Sequence, residues 1–274
     1  MKVARNSINH VVLIVVLLAL FSCKSQKKEQ QSAEIDIEKE TIEQEVTRFV
    51  YPLPSPFALT EMLNDIEASY LIGISNDPSN VENYFITRKR GLNLGIYSSD
   101  LAYASTYNMN QEVVNYMNSI RKLLDALDIT GAVDESVLQD VQDNLGNKEK
   151  LVEIITGLIH NTYVYLKEND KEKLSSLILA GTWLEGMYLA THVSESTYDN
   201  IEIIKIIMKQ KEPLKDILKI IEPYQEDSDL KEVYAEFSAI DEVYDMQEGS
   251  SSLSVSQMKS ITEKVSAFRN RIIE

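Results

Sequence analysis

Asp100, Glu185 and His192 are the side chains of this chain whose types could carry acid–base chemistry. Glu185 and His192 stand seven positions apart, which on a helix places them on one face two turns along. A carboxylate and an imidazole at that spacing can meet and act as general acid and base. The same spacing serves a structural polar pair, or plain exposure near a helix end, and the sequence favours that plainer reading. Tyr97, Tyr103 and Trp183 accompany them. Aromatics of this kind line ligand sites between helices, and more often fill a core. Tyr97, Asp100, Tyr103, Trp183, Glu185 and His192 are therefore the candidate ligand-binding set, with no residue assigned as catalytic.

Other chemistry finds little support. There is no His-Glu-x-x-His and no paired Glu-x-x-His, so no metal site is expected. No glycine-rich phosphate loop and no Gly-x-Ser-x-Gly elbow exist, so neither a cofactor nor a serine nucleophile is expected. His160, beside Asn161 on an apolar segment, reads as a core or boundary histidine. Arg88-Lys89-Arg90 is the one basic cluster, and it reads as solvated or paired with acids.

Two stretches must position the candidate set. Residues 91–106 read GLNLGIYSSDLAYAST, and residues 180–192 read AGTWLEGMYLATH. Aligning Gly95 with Gly181 puts Tyr97 on Trp183, Ser99 on Glu185 and Thr106 on His192. Gly91, Gly95 and Ser99 recur every fourth residue, and small faces of this kind let helix backbones approach closely. The pattern suits tight packing of a central pair, or room for a ligand beside the aromatics. The offset of 86 residues exceeds any helical-repeat period, so the echo suggests at most a pseudo-twofold pairing of helical hairpins.

The surrounding sequence has helical period almost throughout. Ser79, after Asn76-Asp77-Pro78, is the expected cap of a long helix over 80–107. Val113, Met117, Ile120, Leu124 and Leu127 form a clean apolar seam. Further helices are expected over 133–145, 151–166, 174–193, 201–221 with Pro213 dividing it, 230–246 and 255–273. No window alternates as a strand would. With only 9 Gly and 6 Pro in 274 residues, the expectation is an all-α fold. It is a single multi-helix domain over residues 56–274, with about eight or nine helices around two long central ones.

The N-terminus speaks to location. Lys2 and Arg5 precede an unbroken apolar run over 11–21, too short to span a bilayer core of ~30 Å and suited to a signal peptide. Leu20-Phe21-Ser22-Cys23 resembles a bacterial lipoprotein signal, and Cys23 is the only cysteine. By that resemblance residues 1–22 are removed and Cys23 is acylated, giving a membrane anchor. Residues 23–55 then form the lipidated Cys and a flexible tether. Lys24-Ser25 lack the Asp that marks inner-membrane retention in enterobacterial-type lipoproteins. The outer membrane, facing the periplasm or displayed at the surface, is the expected location. Losing Lys2 and Arg5 but no acid takes the net charge from −16 to −18, which excludes nucleic acid as a partner.

The signal, the acidic tether and the segment NLGIYSSDLAY over 93–103 together resemble uncharacterised all-helical lipoproteins of Bacteroidota-type bacteria. That resemblance implies fold and location and no activity. The expected function is a non-enzymatic, lipid-anchored helical module that binds a protein partner or small ligand in the envelope. Two alternatives stand beside it: an enzyme using Asp100, Glu185 and His192, and a structural envelope protein.

Overall fold

The computed structural model describes residues 56–134, 136–193, 198–245 and 252–274. The signal peptide, Cys23 and the tether, with Gly249-Ser250-Ser251 of the Ser-rich break, lie outside the described residues. The described residues are all-α, in ten α-helices and three short 3-10 turns. The helices are α1 (Pro56–Asp65), α2 (Thr87–Thr106), α3 (Asn110–Ala126), α4 (Val137–Asp143), α5 (Lys148–Glu168), α6 (Glu172–His192), α7 (Ile201–Met208), α8 (Lys211–Ile221), α9 (Lys231–Asp245) and α10 (Val255–Ile273).

Helices α2 and α6 have no polar side, and this is why they sit at the centre. Every residue of α2 from Gly91 to Thr106 is buried, and α6 is nearly as enclosed. Several of their hydroxyls are satisfied within the helix. Ser98 donates to the Leu94 carbonyl and Ser105 to that of Leu101, each at 2.7 Å, while Thr191 donates to Met187 at 2.8 Å. Such i−4 bonds let a polar side chain lie in a core without an orphaned donor.

The two helices touch backbone to backbone. A Cβ on Gly95 would stand 2.0 Å from the Ile178 carbonyl oxygen, and one on Gly181 would stand 2.0 Å from that of Leu92. Ile178 stands to Leu92 as Gly181 stands to Gly95, so the crossing obeys a local twofold. Ser99 and Thr182 add hydrogen bonds across it, Ser99 to the Thr182 carbonyl at 2.8 Å and Thr182 to that of Gly95 at 3.3 Å. The relation stops there: α2 is followed by the 17-residue α3 and α6 by the 8-residue α7.

Several boundaries differ from the sequence reading, and the helix expected over 133–145 spans only Val137–Asp143. The long helix expected over 80–107 begins at Thr87. Asp77, rather than Ser79, caps what precedes it, accepting from the Ser79 N–H at 2.8 Å. A 3-10 turn over Pro78–Asn83 follows, and Tyr84 and Ile86 are extended. Phe57, Leu59, Met62, Leu63, Ile66 and Tyr70 read in sequence as one apolar helical stripe, but the helix ends at Asp65 and leaves Ile66 and Tyr70 in a strap over residues 66–86. The expected helix over 201–221 divides at Lys209-Gln210, three residues before Pro213. Pro213 lies in the first turn of α8, where an N–H has no helical acceptor to lose. That division supplies a tenth helix where about nine were expected.

The strap lies along α2, running opposite to it. Tyr107 Oη donates to the Ala68 carbonyl at 2.7 Å, Tyr103 Oη accepts from Leu71 N–H at 3.0 Å, and Tyr97 Oη donates to the Asp77 carbonyl at 2.9 Å. Asn76 is buried and reaches Tyr84 Oη at 3.0 Å and Asn93 Oδ1 at 3.1 Å. Ser119 of α3 and Arg269 of α10 hold its flanks, through the carbonyls of Pro78 at 3.0 Å and Ile74 at 3.3 Å.

Candidate functional site

The polar members of the central helices converge on α10. Arg269 forms a bidentate pair with Glu185, Nε to Oε2 and Nη2 to Oε1, both at 2.7 Å. Both side chains are withdrawn from solvent. The α10 stripe puts Arg269 there: Ile261, Val265, Phe268 and Ile272 are buried on the same face, and Arg269 is the one charge among them. The guanidinium carbon also stands 3.9 Å from the centre of the Tyr188 ring. Planar stacking and a two-pronged bond together are what arginine supplies and lysine does not.

Asp100 completes the cluster from α2. It is fully buried, and its Oδ2 accepts from the Asn76 N–H of the strap at 3.2 Å. Burial, and then the neighbouring Glu185 charge, hold its carboxyl well above the usual carboxylate range, outweighing the pull of Arg269. His192 is half-buried at the end of α6. Its ring stacks on Tyr188 at 4.1 Å, Nδ1 bonds the Tyr188 carbonyl at 2.8 Å, and Nε2 meets Ser266 Oγ at 3.1 Å. Burial pushes its imidazole below the ordinary range, and Arg269 acts in the same direction.

The six candidate residues are therefore not gathered into one site. Asp100 and Glu185 lie in one cluster, and His192 reaches it through Tyr188. Tyr97 and Tyr103 are fully buried, Tyr97 against Tyr84 and Tyr116 and Tyr103 stacked on Tyr70 at 4.7 Å. Trp183 is on another side of α6, its ring centre 4.9 Å from that of Phe237. Sequence reasoning missed Arg269, although an arginine inside the apolar stripe of α10 was a visible signal. Among the described residues no group of three or more His, Asp, Glu or Cys could hold a metal ion.

Open space lies on the other side of α2. A groove of about 460 Å³ runs between α3, the Thr130–Ala132 turn, α4 and α5. Met117, Ile120, Leu124, Val137 and Leu158 give it an apolar floor, and Arg121, Asp125 and Asp134 bring charge to it. Ile120, Leu124 and Leu158 also line a narrow cleft that continues down to Ser98, Tyr163 and Thr182. The sequence reading did not find this groove, because its residues belong to three helices that are ordinary amphipathic ones when taken singly.

Comparison with protein-family models, with curated proteins and with solved structures finds no match for this chain.

Proposed function

We propose that the protein is a lipid-anchored binding module of the bacterial envelope, held by acylated Cys23 in the outer membrane, and that it takes its ligand in the groove between α3, α4 and α5. The groove carries this reading. Its volume falls within the roughly 300–1,000 Å³ of small-molecule sites, and it combines an apolar floor with a few charged groups. The ligand it suits is amphiphilic, with an apolar part against Ile120, Leu124 and Leu158 and a polar group toward Arg121. Binding is favoured over catalysis because Glu185 is committed to Arg269 and both ring nitrogens of His192 already have partners.

Thermal stability against a panel of envelope amphiphiles tests the groove. A ligand that raises the melting temperature of the wild type but not of Val137→Trp, whose indole fills the groove, supports the reading. A shift that persists in Val137→Trp sinks it. Labelled palmitate tests the anchor: the wild type takes up label and Cys23→Ser does not.

A further inference from the structure

We propose that the outward side of the strap, residues 66–86, is the surface by which the domain rests on the phospholipid bilayer; this depends on the lipid-anchor reading above. The large apolar side chains exposed among the described residues are Leu71, Ile72, Phe85, Ile86, Ile201 and Val255. Four of these six are on the strap. Ile72 is 84% exposed and Phe85 75%. Single exposed apolar residues are ordinary, but their concentration on one short segment marks an interaction surface.

The strap's own hydrogen bonds explain why these side chains point outward. Its backbone and polar groups are engaged inward, Leu71 N–H with Tyr103, Ile74 carbonyl with Arg269, Asn76 with Asp100 and Asn93, and Tyr84 with the Ile273 carbonyl at 3.3 Å. The strap is held at both ends and through its middle, so the apolar surface of Ile72 and Phe85 stays in water unless something covers it.

Charge and length indicate lipid as the cover. The mature chain would carry a net charge of −18, which disfavours an anionic surface. The strap's end is the exception. Phe85-Ile86 run directly into Arg88-Lys89-Arg90, the one basic cluster, where Arg88 pairs with Glu232 of α9 and Lys122 pairs with Glu82 of the strap. These pairs cancel Arg88 and Glu82 alike and leave Lys89 and Arg90 of the cluster beside Phe85, and apolar side chains flanked by arginine and lysine are the composition of a bilayer-surface segment. The expected tether of residues 23–55 has an r.m.s. reach of roughly 30 Å, so an anchored domain stays beside the bilayer at an effective concentration of the order of mM. At that concentration a few apolar side chains, too weak to hold a free protein, are enough to orient it. The tether also enters at α1, whose last residue, Asp65, leads directly into the strap.

The test uses the full chain, expressed in a bacterium and purified in detergent. Its mass is read first for acylation of Cys23, which decides the anchor reading by itself. The acylated protein is reconstituted into phosphatidylethanolamine–phosphatidylglycerol vesicles. Where the mass shows no acyl chains, the Cys23 thiol is coupled to a maleimide lipid in the same vesicles. Ile72→Trp, Phe85→Trp and Val255→Trp are compared with the wild type in vesicles with and without brominated acyl chains. Trp183 is buried and supplies a constant background. Loss of emission from Ile72→Trp and Phe85→Trp in brominated vesicles, with Val255→Trp and the wild type unchanged, is the expected result. Unchanged emission at positions 72 and 85 overturns the proposal and leaves the strap to a protein partner. Equal loss at all three positions also overturns it, because the domain then adsorbs without a preferred face.

Discussion

Gly95 and Gly181 stand where a methyl group meets a backbone carbonyl rather than a yielding side chain. Gly95→Ala or Gly181→Ala must push α2 and α6 apart along their length, and each is expected to cost about 3 kcal/mol. Gly157 of α5 has open space around its Cβ position. Gly157→Ala is expected to stabilise by about 0.5–1 kcal/mol, the helical preference of alanine over glycine. Urea denaturation of the three variants checks both signs, and a tolerated Gly95→Ala would mean the crossing is looser than described. Asp100 gives a second residue-scale expectation. Its carboxyl is held above its unfolded range, so its favourable contribution is complete below about pH 4 and is lost as pH rises through the folded value. Asp100→Asn, an uncharged near-isostere, removes this dependence. The stability of the wild type relative to Asp100→Asn is expected to fall as pH rises from 4 toward neutrality, by up to about 1.4 kcal/mol per unit. Parallel curves for the two proteins would show that Asp100 is charged in the fold. The close pair of glycines was legible in the sequence through the echo of residues 91–106 and 180–192. The partner of Glu185 was not, because Arg269 lies 84 positions away and nothing local ties the two together.

At the scale of elements, the helix ends explain how an all-α chain manages with so little glycine. Glu67, Asn108, Asp128 and Asp170 take φ between 53° and 58°, the left-handed conformation usually left to glycine. All four end alike. Ala68 N–H reaches the Leu63 carbonyl at 3.1 Å. Met109 N–H reaches the Ala104 carbonyl at 2.8 Å, Ile129 that of Leu124 at 3.0 Å, and Lys171 that of Leu166 at 2.8 Å. These are the six-to-one bonds of the Schellman motif, which satisfy carbonyls the helix leaves unpaired. The residue entering the next segment is buried at Ile129, so the motif also sets the direction of the chain. Asn108→Gly and Asp128→Gly keep the bonds and relieve the Cβ, and each is expected to stabilise by about 0.5–1 kcal/mol. Urea midpoints check this, and destabilisation by both would mean that the side chains hold these turns. Helix α10 was legible to the residue, because Ser254 and Gln257 form a capping box before a regular stripe. The start of α2 was not. The polar strap is held by tyrosines and asparagines far along the chain, and periodicity within residues 80–86 cannot report such contacts.

For the whole molecule, a shell of helices encloses α2 and α6, and stability is distributed accordingly. The amides of α2 lie under α1, α3, α5, α10 and the strap, so they exchange only when the shell opens. Helix α4 has seven residues and one buried side chain, Val141, yet it forms a wall of the groove. A wall of that kind opens at little cost, which gives a ligand an entry path and makes its binding visible as ordering. The fold class and the central pair could be read from sequence because they rest on composition and on faces within single helices. The groove could not, since it exists only where α3, α4 and α5 meet. Hydrogen exchange on the ligand-free protein is expected to show α4 exchanging by local opening and the middle of α2 exchanging only with global unfolding. A groove ligand should then slow α4 selectively and leave α2 unchanged until global stability rises. Protection of α4 equal to that of α2 before any ligand is added would mean that the groove is a rigid feature, and entry would then have to occur through the open side between α3 and α5.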